Sequence, residues 1–128
     1  MKRLIFTCAI VIALSLTNGV GNTAAQVRER RIQSGVFEFK EPVKLLDAVL
    51  RGQYLFLHHQ GMMERGKPCI FVYQAKSGTF VMSLHCRPVK RDPVEQLRIV
   101  LTRSGGFDLP TIEEIQFAGS SEGHLVSH

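Results

Sequence analysis

Two cysteines with a turn between them set the tightest limit on what this chain can become. The stretch from Cys69 to Cys86 reads CIFVYQAKSGTFVMSLHC. Folded at Ser77-Gly78 as a two-residue hairpin loop, it pairs Phe71 with Leu84, Tyr73 with Met82 and Cys69 with Cys86. The cysteines then form a non-hydrogen-bonded pair with Cα atoms roughly 4.5 Å apart, inside the disulfide window of about 4.4–6.8 Å. This register turns Cys69, Phe71, Tyr73, Phe80, Met82, Leu84 and Cys86 toward a core. Ile70, Val72, Gln74, Val81, Ser83 and His85 turn away from it. Closing a loop of this length contributes about 3 kcal/mol in the chain-entropy description.

The start of the chain bears on the compartment. Lys2 and Arg3 form a positive n-region, Leu4 to Leu16 an apolar segment, and Thr23-Ala24-Ala25 a small-residue cleavage site before Gln26. This pattern predicts a secretory signal peptide over residues 1–25. The apolar segment is shorter than the roughly 20 residues a membrane span needs, so no stable span is expected after cleavage. Cys8 leaves with the signal. Two cysteines remain, and an exported chain with an even count is expected to oxidise them, in the periplasm or outside the cell. Cleavage removes two of the 16 Lys and Arg and none of the 11 Asp and Glu. The remaining positive charge is scattered. No basic stripe is interleaved with aromatics, so nucleic acid is not an expected partner.

In order, residues 26–34 read as a flexible basic arm carrying Arg28, Arg30 and Arg31. Gly35 to Lys40 alternates like a strand, Pro42 interrupts, and Val43 to Leu46 is a second short strand or bend. Gly52 marks a turn before Tyr54 to His58, a central strand apolar on both faces. A loop follows to Pro68, then the hairpin, then a basic connection from Arg87 to Pro93. Leu97, Ile99 and Leu101 alternate with Arg98, Val100 and Thr102. After Ser104-Gly105-Gly106, Ile115 and Phe117 alternate with Glu114 and Gln116. Gly119 to Gly123 ends the last strand, leaving His124 to His128 as a tail. Helix competes only at Val43–Leu50 and Val94–Val100. The whole predicts an all-β fold over residues 35–126, a small single-domain β-sandwich or open barrel of about six to eight short antiparallel strands with one intradomain disulfide.

A phenylalanine strand, the Pro42-Val43-Lys44-Leu45 segment, the Val49-Leu50-Arg51-Gly52-Gln53-Tyr54 turn, a strand ending in His58, the cysteine pair and the closing Gln116-Phe117-Ala118-Gly119-Ser120 stretch occur together. In these features the chain resembles small exported bacterial β-proteins of unassigned function. The resemblance spans most of the domain. It implies export and a β fold, and it carries over no catalytic residue.

Candidate chemistry concentrates around His58, His59, Met62 and Met63, with His85 near by if strand and hairpin are neighbours. Imidazole and thioether together suit copper, especially Cu(I). His58 and His59 point to opposite faces of a strand, so at most one joins such a site. A blue-copper site needs a histidine close behind the cysteine, and the next one after Cys86 is His124. Zinc lacks a Cys-x-x-Cys or His-Glu-x-x-His spacing, and Cys-x-x-Cys redox geometry is missing too. Ser120, Ser121, Glu122 and His124 lack a Gly-x-Ser-x-Gly elbow. Glu113 and Glu114 face opposite ways on a strand and read as exposed charge.

The expected function is therefore non-catalytic. One reading is an exported β-domain, without cofactor, that binds a protein, a surface polymer or a small ligand through loop residues Arg65, Lys67, Arg87, Lys90 and Arg91. The other is a periplasmic copper-binding protein using the His/Met cluster.

Overall fold

β1 (Ile32–Leu45) and β2 (Ala48–His59) form a long antiparallel hairpin that carries much of the core. The computed structural model describes residues 32–106 and 108–127. The expected signal peptide and the arm up to residue 31 lie outside the described residues. Ile32 to Ser34, assigned above to the arm, are paired with His59, His58 and Leu57. Beyond β2 come a helical turn, α1 (Gln60–Glu64), and strands β3 (Ile70–Gln74), β4 (Phe80–Lys90), β5 (Arg98–Thr102), β6 (Thr111–Gln116) and β7 (Glu122–Ser127). The chain is all-β, as expected. The strands form one sheet in the order β1-β2-β3-β4-β7-β6-β5. A parallel contact between β1 and β6 ties its first strand back to its far side, with Lys44 N–H donating to the Pro110 carbonyl at 2.8 Å.

Pro42 does not interrupt β1, and Gly52 does not turn the chain. The register shifts between Phe39 and Val43, so that Lys40 to Pro42 bulge opposite Arg51. A bulge is where a strand tolerates a residue with no N–H. Gly52, opposite Phe39 at φ +98°, supplies the backbone conformation that the bulge requires. The reversal itself falls at Leu46-Asp47, where Leu46 takes a positive φ of 52°.

The hairpin closes near Ser77-Gly78 as expected, with a longer loop. Gln74 and Phe80 are its flanking strand residues. Gly78 N–H donates to the Gln74 carbonyl at 2.8 Å, and the Ser77 hydroxyl bonds Gln74 and Thr79 side chains at 2.9 and 2.8 Å. The register therefore slips by one: Ile70 faces Leu84 and Val72 faces Met82, with a further bulge before Tyr73 and Phe80. A one-residue slip exchanges the faces of a strand. Ile70 and Val72 are fully buried in the core, Phe71 and Tyr73 are half-buried and Phe80 is exposed, the reverse of the expected assignment on β3.

The disulfide survives the slip. Cys69 now lies level with His85, and its bridge runs on the diagonal to Cys86 with a Cα separation of 6.2 Å.

Two further corrections concern the end of the chain. His124 to Ser127, expected as a tail, belong with Glu122 and Gly123 to a central strand, β7, which pairs with β4 on one edge and β6 on the other. Arg87 to Lys90 are not a connection but the second half of β4, where Pro88 is opposite His124. β3 pairs with β4 only as far as Leu84, so Pro88 needs no ladder partner on that side.

Glu114 is the other surprise. It is buried while Glu113 is exposed. Arg91 grips it at 2.7 Å and Arg98 at 2.9 Å, and these arginines hold its carboxyl below the usual carboxylate range. Gly123 gives this carboxylate its space, because a Cβ there would fall on Glu114 Oε2. The two arginines prevent the carboxylate from swinging away. Gly123→Ala should therefore cost about 1–3 kcal/mol of overpacking, read as a lower denaturant midpoint at constant slope. An unchanged midpoint would mean that the clamp is not rigid.

Candidate metal site

Alternation on β2 sends Tyr54, Phe56 and His58 into the interior. Pairing of β7 with both neighbours sets His124 opposite Pro88 on β4 and Ile115 on β6, again on the inner side. The two imidazoles meet there as a stack, with ring centroids 3.8 Å apart and planes 24° apart. Phe117 lies 6.1 Å from each ring. Both histidines are at most 1% exposed.

None of the four imidazole nitrogens has a hydrogen-bond partner among the described residues. Glu122 Oε1 lies 4.0 Å from His124 Nδ1, beyond hydrogen-bond reach. A buried polar group left without a partner costs roughly 1–3 kcal/mol, so the pair is a substantial burden on a small core. Cys86 completes the picture. One nitrogen of His58, one of His124 and the Cys86 Sγ all lie within 4.8 Å of one another. Cys69, bonded to Cys86, places a second sulfur beside the cluster.

Burial pushes the His58 imidazole down to about 3, and the neighbouring His124 and His59 act in the same direction. Burial likewise pushes His124 down to about 4, against the opposite pull of the Glu114 carboxylate. Both rings are therefore neutral at physiological pH, which is the form that binds metal ions. Neither donates its second N–H to a carbonyl, so no tautomer is fixed. Two nitrogens in an apolar setting, beside a sulfur that becomes a thiolate only when the disulfide is reduced, could form a donor set for a soft or borderline ion such as Cu(I) or Zn(II).

The structure divides the residues singled out in the sequence. His58 is in the site. His59 turns away and caps α1, its Nδ1 accepting from Met62 N–H at 3.2 Å. Met62 Sδ accepts from Arg65 at 3.3 Å, and Met63 packs on the core. His85 is exposed. The His/Met set is thus not assembled around one point. Among the basic residues, Lys67, Arg87 and Lys90 are exposed, while Arg65 is engaged with Gly61 and Met62 and Arg91 with Glu114.

His124 is the residue that sequence reasoning missed. Its only local signal was the short apolar run after Ser120-Ser121-Glu122-Gly123, which resembles a chain end. His124 lies far behind Cys86 along the chain, and only the pairing of β7 with β4 and β6 brings it across.

Comparison with known proteins gives no matching family model, no matching curated protein and no matching solved structure. Among the described residues no helix is long and apolar enough to cross a membrane.

The depressed imidazoles make the metal-free protein acid-sensitive in a defined window. Unfolding returns both rings toward their ordinary value of 6.5, so the unfolded chain binds more protons as pH falls below it. Stability is intact above that value, falls through the range down to about 4, and levels for these two groups below about 3. Denaturant unfolding between pH 6.5 and 5 should show uptake approaching about two protons, reduced by about one in His58→Leu. A flat profile in both proteins would contradict the buried neutral pair.

Proposed function

We propose that this is an exported, non-catalytic β-domain that holds a soft transition-metal ion, Cu(I) in the first place, between His58 and His124. The ring β1-β2-β3-β4-β7-β6 is read as a small open barrel whose interior carries the ion. One observation carries the reading: four buried imidazole nitrogens without partners among the described residues, beside a sulfur. Neutral imidazoles that cost stability in the metal-free protein become ligands when an ion arrives, and the burial that lowers their proton affinity leaves their lone pairs available. The cysteine sulfur suits Cu(I) better than the harder ions, which prefer oxygen. The basic surface supports a binding role less well, since Arg65 and Arg91 already have partners within the chain.

Anaerobic titration of the dithiol-reduced protein with Cu(I), against a chromophoric Cu(I) chelator, tests this directly. We expect one ion per chain at high affinity, lost in both His58→Leu and His124→Leu. Each variant should also keep its fold, since leucine removes partnerless buried nitrogens. No uptake, or uptake unaffected by either substitution, would rule the site out.

A further inference from the structure

One sulfur of the ion site is also half of the disulfide, and it cannot fill both roles at once. We propose that the Cys69–Cys86 bond is a redox gate on this site: closed as a disulfide it withholds the sulfur ligands, and opened by a dithiol donor it delivers them to the ion. The inference rests on reading His58 and His124 as ion ligands.

The backbone around both sulfurs is fixed without the disulfide. His59 N–H donates to the Cys69 carbonyl at 2.8 Å, and Cys69 N–H donates to the Leu84 carbonyl at 2.9 Å. Cys86 is held on β4 by its place opposite Val126 of β7. Breaking the sulfur–sulfur bond therefore leaves both side chains in place, with the Cys86 sulfur beside the imidazole pair and Cys69 next to it. The site changes from two nitrogens to two nitrogens with the Cys86 thiolate, a set of three donors that the Cys69 thiolate would complete to the tetrahedral four suited to Zn(II) or Cu(I).

Access is asymmetric. Cys69 is fully buried, whereas Cys86 is half-buried. A donor thiolate can thus attack the Cys86 sulfur, forming a mixed disulfide and releasing Cys69 as the leaving thiolate. The donor's second thiol then displaces Cys86 and closes the donor's own disulfide. Two electrons pass from donor to protein, the donor sulfurs are oxidised, and the protein sulfurs are reduced. Metal binding releases the protons of the ligating thiols to solvent. In the reverse direction, an oxidant of the disulfide class reforms the bridge and expels the ion.

Zn(II), which has no redox chemistry of its own, is the probe for the test. Its affinity is measured by chelator competition on the oxidised protein and on the dithiol-reduced protein under argon. The gate predicts one Zn(II) per chain, bound at least about a hundredfold tighter after reduction. Co(II) should give a thiolate-to-cobalt charge-transfer band in the reduced form only. Saturating Zn(II) should also slow re-formation of the bridge by oxidised glutathione by at least about tenfold. If reduction alone loosens the fold, amide chemical-shift dispersion gives the readout, and Zn(II) should restore it. Equal affinity in both redox states would overturn the gate and leave the ion site standing. No Zn(II)-dependent change in reoxidation rate or dispersion would also overturn it. If Cu(I) uptake by the reduced protein fails as well, the ion site itself falls.

Discussion

β7 is the strand on which this molecule closes. It lies between β4 and β6, pairing with β4 along its six residues and with β6 along three of them, so the two halves of the sheet meet on it. Everything distinctive about the interior follows from that insertion. It sets His124 against His58, brings both to Cys86, and demands Gly123 where the Glu114 carboxylate comes through. Even Pro88 in the middle of β4 makes sense only because β7 pairs on one side while β3 has already ended on the other.

The interior that results is not a uniformly apolar core. Phe39, Leu45, Leu50, Phe56, Ile70, Val72, Ile112, Ile115 and Phe117 pack in the ordinary way. Two polar arrangements sit among them and are solved differently. Glu114 is fully paired, gripped by Arg91 and Arg98, whose outer ends reach solvent. The imidazole pair has no such compensation among the described residues: it is neutral, stacked and without hydrogen bonds to them. Buried polar groups usually find partners, so an exception of this size points outside the protein's own atoms. The ion proposed above is a partner that would suit two neutral imidazoles next to a sulfur.

Local features were legible in the sequence and non-local ones were not. The cysteine pair, the reversal near Ser77-Gly78 and the central strand from Tyr54 to His58 depend on neighbours a few residues away, and each is found. The hairpin register depends on loop length, and a loop closed by Gly78 N–H onto Gln74 moves every side chain of β3 to its other face. Glu114 looks like surface charge until Arg91 and Arg98 arrive from elsewhere in the chain. His58 is a visible candidate, but the sequence groups it with its neighbours His59, Met62 and Met63 and with His85 across the hairpin. Its actual neighbour, His124, lies 66 positions further on and arrives only through strand pairing.

The account stands or falls on whether His58, His124 and cysteine sulfur share one ion. X-ray absorption at the zinc edge of reduced protein carrying one equivalent of Zn(II) reports those donors directly. The account predicts imidazole nitrogens at about 2.0–2.1 Å, with the outer-shell scattering of imidazole rings, and sulfur at about 2.3 Å. A spectrum with oxygen donors alone, lacking both the imidazole and the sulfur contributions, would contradict it.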